Sequence, residues 1–205
     1  MHLRDNCRLC DLSAGNLKYG NIDKPFMESD DYFAVVSIGA FIEGWTLIVP
    51  KKHQLSCAPE FNKSKFLSFV LQVKKKVEST YGPSIAFEHG ASTEGSLTGC
   101  GIDHAHLHIV PFDKSLEKEL KSTNIKWTPY SSKESNGGQI KGDYLLYVDS
   151  IKNDSIGGLI AQPATPISQY FRKILAQKCG HGGSYDYKKH TFLESSSKSH
   201  ASLAI

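Results

Sequence analysis

The sequence predicts a fold that mixes β-strands with α-helices, and three observations carry this expectation. Histidines alternate with apolar residues over 104–110, which is the two-residue period of a strand. Apolar runs at 32–37 and 46–50 predict two further strands. Over 58–80 the apolar residues recur at helical spacing, so an amphipathic helix is expected there, with its lysines on the solvated side.

The other elements follow in order along the chain. Gly82-Pro83 ends the first helix, and a strand is predicted to begin at Ser84. Apolar residues at 144–148 and 159–161 predict two more strands. A second helix is expected over about 166–179, with Thr165 as its N-cap, Pro166 in its first turn and Gly180 beyond its end. In this helix Arg172 and Lys173 lie outside the apolar stripe and are expected to face solvent, with contact to a phosphate as the alternative.

Composition favours a soluble globular protein of one domain or one domain with an elaboration. The 205 residues are 40% hydrophobic and 22% charged, with a net charge of +3. This mildly basic balance suits an anionic substrate and lacks the concentrated charge of a nucleic-acid binder. No signal-peptide core or membrane-spanning run is evident, and the odd number of cysteines does not suggest disulfides, so a cytoplasmic location is expected.

The alternating histidines are the strongest functional signal. On a strand, His104, His106 and His108 would share one face, while Ala105 and the apolar residues after it point into a core. A single histidine on an apolar strand is usually structural, whereas three on one face favour a working site. Imidazole can serve there as nucleophile, acid, base or metal ligand.

The pair Cys7 and Cys10 has the C-x-x-C spacing that lets two thiolates bind one tetrahedral ion. Histidine must supply the remaining ligands, and His53 and His104 are the candidates. Such a four-ligand zinc site would be structural, because it leaves no open position for water. The alternative is that both cysteines are free thiols. The three other cysteines are expected to be packing residues: Cys57, Cys100 and Cys179.

These residues resemble the histidine triad (HIT) superfamily, whose motif is His-x-His-x-His followed by apolar residues. The resemblance covers about 5–112, including the strand and basic turn at 44–53. In zinc-binding members two cysteines, the histidine after the lysines and the first triad histidine hold the metal. Together with the polar composition of 114–142 and the serine-rich end of the chain, the resemblance predicts a HIT domain (1–113), a connecting loop (114–142), a C-terminal extension (143–194) and a mobile tail (195–205).

The resemblance implies an α+β fold, with a mainly antiparallel sheet flanked by helices, and a homodimer. It also implies attack on the α-phosphate of a nucleotide. Neutral His106 would be the nucleophile, with its tautomer fixed by a backbone carbonyl near His104. His108 would donate to a phosphoryl oxygen, which leaves His104 free for zinc.

Several positions depart from the family pattern. Gly101 stands where many relatives carry a Ser or Thr that assists the leaving group, and Ser37 stands where an acidic residue often holds the ribose. Glu88 stands in the region where an amide often binds phosphate, and His89 could compensate as a donor. The expected phosphate- and nucleotide-binding residues are Ser37, His89, Gly99, Gly101 and His108.

The leading hypothesis is a nucleotide hydrolase that cleaves a dinucleoside polyphosphate or nucleotide conjugate through a nucleotidyl-histidine intermediate. A nucleotidyltransferase or phosphorylase would use the same intermediate. Removal of adenylate from nucleic-acid ends would need a basic, aromatic surface, for which only Trp127 and the run 188–190 offer a hint. A nucleotide-binding regulator with little turnover is a further alternative. Neither a membrane nor a nucleic acid is expected as a partner.

Overall fold

Eight strands form one sheet in which every neighbouring pair is antiparallel, in the order β1-β2-β3-β5-β4-β7-β8-β6. This computed structural model describes residues 7–134 and 140–205. The strands are β1 (Met27–Glu28), β2 (Tyr32–Val36), β3 (Thr46–Pro50), β4 (Ser84–Gly90), β5 (Leu107–Pro111), β6 (Thr128–Ser131), β7 (Tyr144–Lys152) and β8 (Ser155–Ala161). The expected α+β class with a mainly antiparallel sheet is confirmed.

Helices cover both faces of the sheet, and each face has its own buried cluster. The helices are α1 (Arg8–Ser13), α2 (Ser64–Tyr81), α3 (Glu117–Lys121), α4 (Tyr170–Lys178) and α5 (Leu193–Leu203). The apolar stripe of α2 lies on one face, and residues of α1 and α4 lie on the other. Because side chains alternate along a strand, Ala34 belongs to the first cluster and its neighbour Phe33 to the second. None of the helices in the described residues combines the length and hydrophobicity that a bilayer crossing requires.

The strand predictions for 32–37, 46–50 and 84–88 agree with β2, β3 and β4. The helix predicted over 58–80 begins later, at Ser64, because Ala58–Glu60 forms a separate 3-10 turn.

The histidine strand was predicted to start at His104, and this is wrong, because β5 starts at Leu107. The pairing of β5 with β3 ends at the pair Ile48–Leu107. Two residues later in β3 comes Pro50, whose ring nitrogen has no hydrogen to donate to a further pair. The apolar side chains of the segment still enter the first cluster, as expected: Ala105, Leu107 and Ile109.

The prediction that 114–142 is only a connecting loop is wrong in part, because this range contains α3 and β6. Residues 135–139 of the range lie outside the described part of the chain. The predicted C-terminal extension continues the same sheet, since β7 pairs with β4. The helix expected over 166–179 starts at Tyr170, so neither Thr165 nor Pro166 begins it. Gln169, in the left-handed conformation, occupies the N-cap, and its backbone N–H donates to Cys100 Sγ at 3.1 Å.

The prediction of a mobile tail over 195–205 is wrong for most of that range, because residues up to Leu203 belong to α5. Two of its serines are hydrogen-bonded to the first part of the chain. Ser199 Oγ accepts from the backbone N–H of Gly44 at 2.8 Å, and Ser196 Oγ donates to the carbonyl of Ser37 at 2.9 Å. Leu203 is only 1% exposed and joins the first cluster.

Replacing Leu203 with alanine tests this packing. We expect Leu203→Ala to lower the free energy of unfolding by about 2–5 kcal/mol, because it removes buried methyl groups and leaves a cavity. Urea denaturation measures the loss. The matched control is Ile205→Ala at a position that is 94% exposed, where a change within about 0.5 kcal/mol is expected. Equal, small effects of both variants would contradict the packing of α5.

Candidate active site and metal cluster

The main chain fixes the ring of His106, the middle histidine of the triad. Its Nδ1 lies 2.8 Å from the carbonyl oxygen of His104. Because a carbonyl only accepts, Nδ1 must carry the hydrogen, and the lone pair is left on Nε2. Burial lowers the pKa of His106, which favours the neutral ring. The residue therefore offers an unprotonated nitrogen at neutral pH.

His108 is held in the opposite tautomer. The Trp45 indole N–H donates to His108 Nδ1 at 2.9 Å, so the hydrogen of His108 is on Nε2. The ring stacks on Phe87 at 4.5 Å, and burial lowers its pKa well below the usual value. His108 is thus a neutral donor beside His106, with 4.8 Å between the two ring centroids.

The sequence reasoning missed Trp45 as a partner of the triad. A signal existed, because Trp45 lies two residues before Leu47, and Leu47 is the register partner of His108. The two-residue period puts Trp45 and Leu47 on one face, next to the histidine. To place Trp45 next to His108, one must know that β3 pairs with β5, and the periodicity within a single segment does not reveal which strands pair.

Both histidines line a cavity of about 300 Å³. Among the described residues, its wall contains three basic side chains and no carboxylate, so it suits an anion. The basic residues are Arg8, Arg172 and Lys188. The last two come from the C-terminal section.

Of the residues expected to bind nucleotide or phosphate, all but Gly99 line this cavity: Ser37, His89, Gly101 and His108. Gly99 is not among the residues that line this cavity, so the expected backbone contact there stays a prediction without support from the cavity. A Cβ at Gly99 would lie 3.2 Å from that of Ala91, which indicates a close-packed turn. Gly101 does face the cavity, and its φ of +77° belongs to the left-handed region that glycine adopts freely.

Glu88 points away from the cavity, so its carboxylate does not face the space that a phosphate would occupy. Its carboxylate accepts from the Cys57 backbone N–H at 2.5 Å and from the Tyr144 hydroxyl at 2.6 Å. Burial raises the pKa of Glu88 to about 7. The next residue, His89, faces the cavity because neighbouring side chains of a strand alternate.

His89 is neutral, since burial lowers its pKa to about 3. Its Nε2 accepts from the Phe171 backbone N–H at 3.4 Å, so Nδ1 carries the hydrogen. Within 7–134 and 140–205, Nδ1 has no hydrogen-bond partner. His89 therefore holds an unused donor near the cavity.

Arg172 was expected to face solvent, and this is wrong, because the residue is only 3% exposed. Its Nε donates to the Tyr185 carbonyl at 2.8 Å, and Nη2 donates to the carbonyl of Gly39. The guanidinium carbon lies 4.6 Å from the centroid of the Trp45 ring. Burial lowers the pKa of Arg172 to about 10, so the group stays charged at neutral pH. This cation–π contact supports the indole that holds His108.

The four expected metal ligands come together on the other side of His104. The ligand atoms of Cys7, Cys10, His53 and His104 all lie within 4.8 Å of one another. Cys7 Sγ is 3.3 Å from His104 Nδ1, and Cys10 Sγ is 3.3 Å from His53 Nδ1. Four atoms bound to zinc at ~2.0–2.3 Å are separated by about 3.3–3.8 Å, so this donor set fits a tetrahedral ion.

The ring of His104 is oriented for metal binding by the chain itself. Its Nε2 lies 2.8 Å from the carbonyl of Pro50 and therefore carries the hydrogen. The lone pair of Nδ1 then points at the two sulfurs. A hydrogen bond from a ligating histidine to a carbonyl is the usual support of such a site.

The remaining cysteines agree only in part with the expected packing role. Cys57 and Cys100 are buried, and the backbone N–H of Gln169 donates to Cys100 Sγ at 3.1 Å. Cys179 is exposed, which contradicts the prediction for it. Cys179 directly follows Lys178, the last residue of α4, and occupies the C-cap position.

Comparison with known proteins gives one family. The family model of the HIT domain matches residues 20–115. An uncharacterized HIT-like protein of Mycoplasma genitalium is 26% identical over 147 residues, which is 71% of this chain and 94% of that protein. The protein hit of Bacillus subtilis is 25% identical over 117 residues, covering 54% of this chain and 74% of the relative.

Solved structures with similarity to this chain carry related names. A HIT family hydrolase from Clostridium thermocellum is 21% identical, with 55% of this chain and 96% of that chain covered and a TM-score of 0.41. A hypothetical histidine triad nucleotide-binding protein from Sulfolobus tokodaii is 20% identical, with 53% and 71% covered and a TM-score of 0.41.

The His-x-His-x-His segment and the strands β1 to β5 all fall inside the matched residues. Residues 20–115 of this chain therefore match the HIT domain, the domain of histidine triad proteins.

Proposed function

We propose that this protein is a nucleotide hydrolase that attacks an α-phosphate through a covalent nucleotidyl-His106 intermediate. The observation that carries the proposal is the pair of opposite tautomers in one cationic cavity. His106 offers a lone pair at Nε2, and His108 offers an N–H at Nε2. The substrate class is a dinucleoside polyphosphate or a nucleotide conjugate.

In the first step, the lone pair of His106 Nε2 forms a bond to phosphorus, and the bond to the leaving group breaks with its electron pair. The N–H of His108 donates to a non-bridging oxygen of the phosphoryl group. In the second step, water attacks phosphorus and releases one proton to solvent, the N–P bond breaks with its electron pair returning to Nε2, and His106 regains its neutral form. Because the reaction is divided into two displacements at phosphorus, each of them has a lower barrier than a single direct step would have.

Three other cavity residues are assigned to substrate binding. His89 would donate from its unused Nδ1 to a phosphate oxygen, as a neutral group. The backbone N–H of Gly101 would do the same, and Ser37 would lie along the sugar. These roles follow from the cavity wall, whereas Gly99 is given none.

The intermediate can be tested with α-³²P-labelled nucleotide. We expect His106→Ala to abolish the acid-labile adduct and to lower kcat by about 10³-fold or more, because no other group in the cavity replaces the nucleophile. His190→Ala is the matched control at an exposed histidine and should retain both signals.

Two results of this test would oppose the proposal. An adduct that persists in His106→Ala would remove His106 as the nucleophile. Nucleotide binding without any adduct in the wild type would identify a regulator instead of an enzyme. Product analysis with and without added phosphate then separates a hydrolase from a phosphorylase or transferase.

The pH dependence follows from the direction of the pKa shifts. Burial lowers the pKa of His106 below the ordinary 6.5, so the neutral ring predominates at pH 6.5 and is lost as the pH falls through the lowered pKa. We therefore expect the acid limb of kcat/KM to have its midpoint below pH 6.5. A pH profile of kcat/KM, with circular dichroism at each pH to verify folding, measures this. An acid limb with its midpoint at or above 6.5 would contradict it.

We also propose that Cys7, Cys10, His53 and His104 bind a structural zinc ion. The donor set and its spacing support this assignment. Burial raises the pKa of the Cys7 thiol to about 11, because an uncompensated thiolate is unfavourable in this environment. A divalent cation would supply the missing positive charge. It would stabilise the attachment of α1 to the sheet.

Removal of one ligand tests the zinc site. Cys7→Ser should lower the zinc content and the Tm, because the site holds distant parts of the chain together. Mass spectrometry of the metal and a thermal melt measure the two effects. Cys179→Ser, at an exposed thiol, is the control and should change neither. A wild-type protein purified without chelator and free of metal would refute the assignment.

The homodimer and the cytoplasmic location implied at the outset stay predictions. Sedimentation of the purified chain and imaging of the tagged protein would test them.

A further inference from the structure

Lys188 fills the space that a side chain at Gly101 would occupy. A Cβ built on Gly101 would lie 2.4 Å from Lys188 Nζ and 3.2 Å from its Cε. Residue 101 is only three positions before the first histidine of the triad, whereas Lys188 lies in the segment that follows α4. The C-terminal section therefore brings an ammonium group to the wall of the active-site cavity, which contains Lys188, Gly101 and His106 together.

The backbone around Lys188 is fixed by specific contacts. The Tyr187 hydroxyl donates to the carbonyl of Cys100 at 2.9 Å, directly before Gly101. The backbone N–H of Tyr187 donates to Gln169 Oε1 at 3.3 Å. Gly39 permits this close approach, since a Cβ there would lie 2.4 Å from Tyr187 Cβ. Lys188 thus extends from an anchored residue, although its own side chain is flexible.

The nearby carboxylate of Asp186 makes its hydrogen bonds elsewhere. Asp186 Oδ1 accepts from the backbone N–H of Lys188 at 3.1 Å and from Gln169 Nε2 at 2.9 Å. The ammonium end of Lys188 is directed at Gly101 and the cavity instead. A cation in this position can bind an oxygen atom that gains negative charge during the reaction.

We propose that Lys188 is a catalytic residue that stabilises the leaving group as it departs from the α-phosphorus. This inference rests on the proposed nucleotidyl-His106 mechanism and adds a residue from outside the HIT domain to it. Lys188 suits a leaving group whose departing oxygen or nitrogen atom carries negative charge or needs a proton.

The step balances as follows for an alcohol leaving group. His106 Nε2 forms the N–P bond, the P–O bond breaks, and its electron pair goes to the departing oxygen. A proton moves from Lys188 Nζ to that oxygen, which leaves as the neutral alcohol. In the second step, the attacking water gives up a proton, and the neutral amine of Lys188 takes it. A phosphate leaving group is already stable as an anion, so it needs the charge of Lys188 and no proton.

Sensitivity to the leaving group distinguishes this role from simple substrate binding. A cation that only binds the ground state would change KM by the same factor for every leaving group. A cation that acts on the departing oxygen matters more when that oxygen is more basic. Lys188→Met removes the charge at an exposed residue and keeps a similar chain length, so folding should be unaffected.

The experiment compares two aryl esters of adenosine 5′-monophosphate, one with 4-nitrophenol and one with the more basic phenol. Single-turnover release of the aryl alcohol reports the first step alone. We expect Lys188→Met to slow release about 10²-fold for the phenyl ester and less than about threefold for the nitrophenyl ester. Lys188→Arg should restore part of the rate for the phenyl ester. Lys189→Met is the matched control at the adjacent exposed lysine and should match the wild type with both esters.

The outcomes separate this inference from the function on which it rests. Equal losses for the two esters, or none, with the His106 adduct still formed, would overturn the role of Lys188 alone. Aryl alcohol release without any adduct in the wild type would overturn the nucleotidyl-histidine mechanism and the role of Lys188 with it.

Discussion

The residue on which the site depends is His104, because its carbonyl and its two ring nitrogens have three separate partners. Its carbonyl accepts from His106 and fixes the tautomer of that ring. Its Nδ1 belongs to the metal cluster, and its Nε2 donates to Pro50 at the end of β3. The backbone position, the cluster of candidate metal ligands and the ring of His106 are therefore coupled through one residue. A displacement of His104 would change the direction of the lone pair on His106.

The second support of the site comes from the far end of the chain. Arg172 lies against Trp45, and Trp45 donates to His108. The same section supplies Lys188 to the cavity, so the parts of the site have different origins in the sequence. The HIT domain provides the histidines, whereas α4 and the residues after it hold one histidine in place and add positive charge.

Local patterns predicted much of this arrangement. The alternation of histidines and apolar residues, the C-x-x-C pair and the helical stripe of α2 all lie within short segments, where periodicity reports the exposed and buried sides. The predictions that failed concern residues whose contacts lie far away in the sequence. Arg172 is buried because Trp45, Phe41 and Tyr187 surround its guanidinium. The serines of α5 suggested a mobile tail, yet they bond to the backbone of residues far away in sequence.

The pairing of β4 with β7 has a consequence for assembly. In a chain that ended after β5, β4 would be an open edge with unpaired backbone groups, ready to take a strand from another molecule. Here β7 already covers that edge, and the described sheet ends instead at β1, two residues long, and at β6, which contains Pro129. A short strand and a proline are poor templates for further pairing. The C-terminal section thus replaces an open edge of the sheet with a paired one.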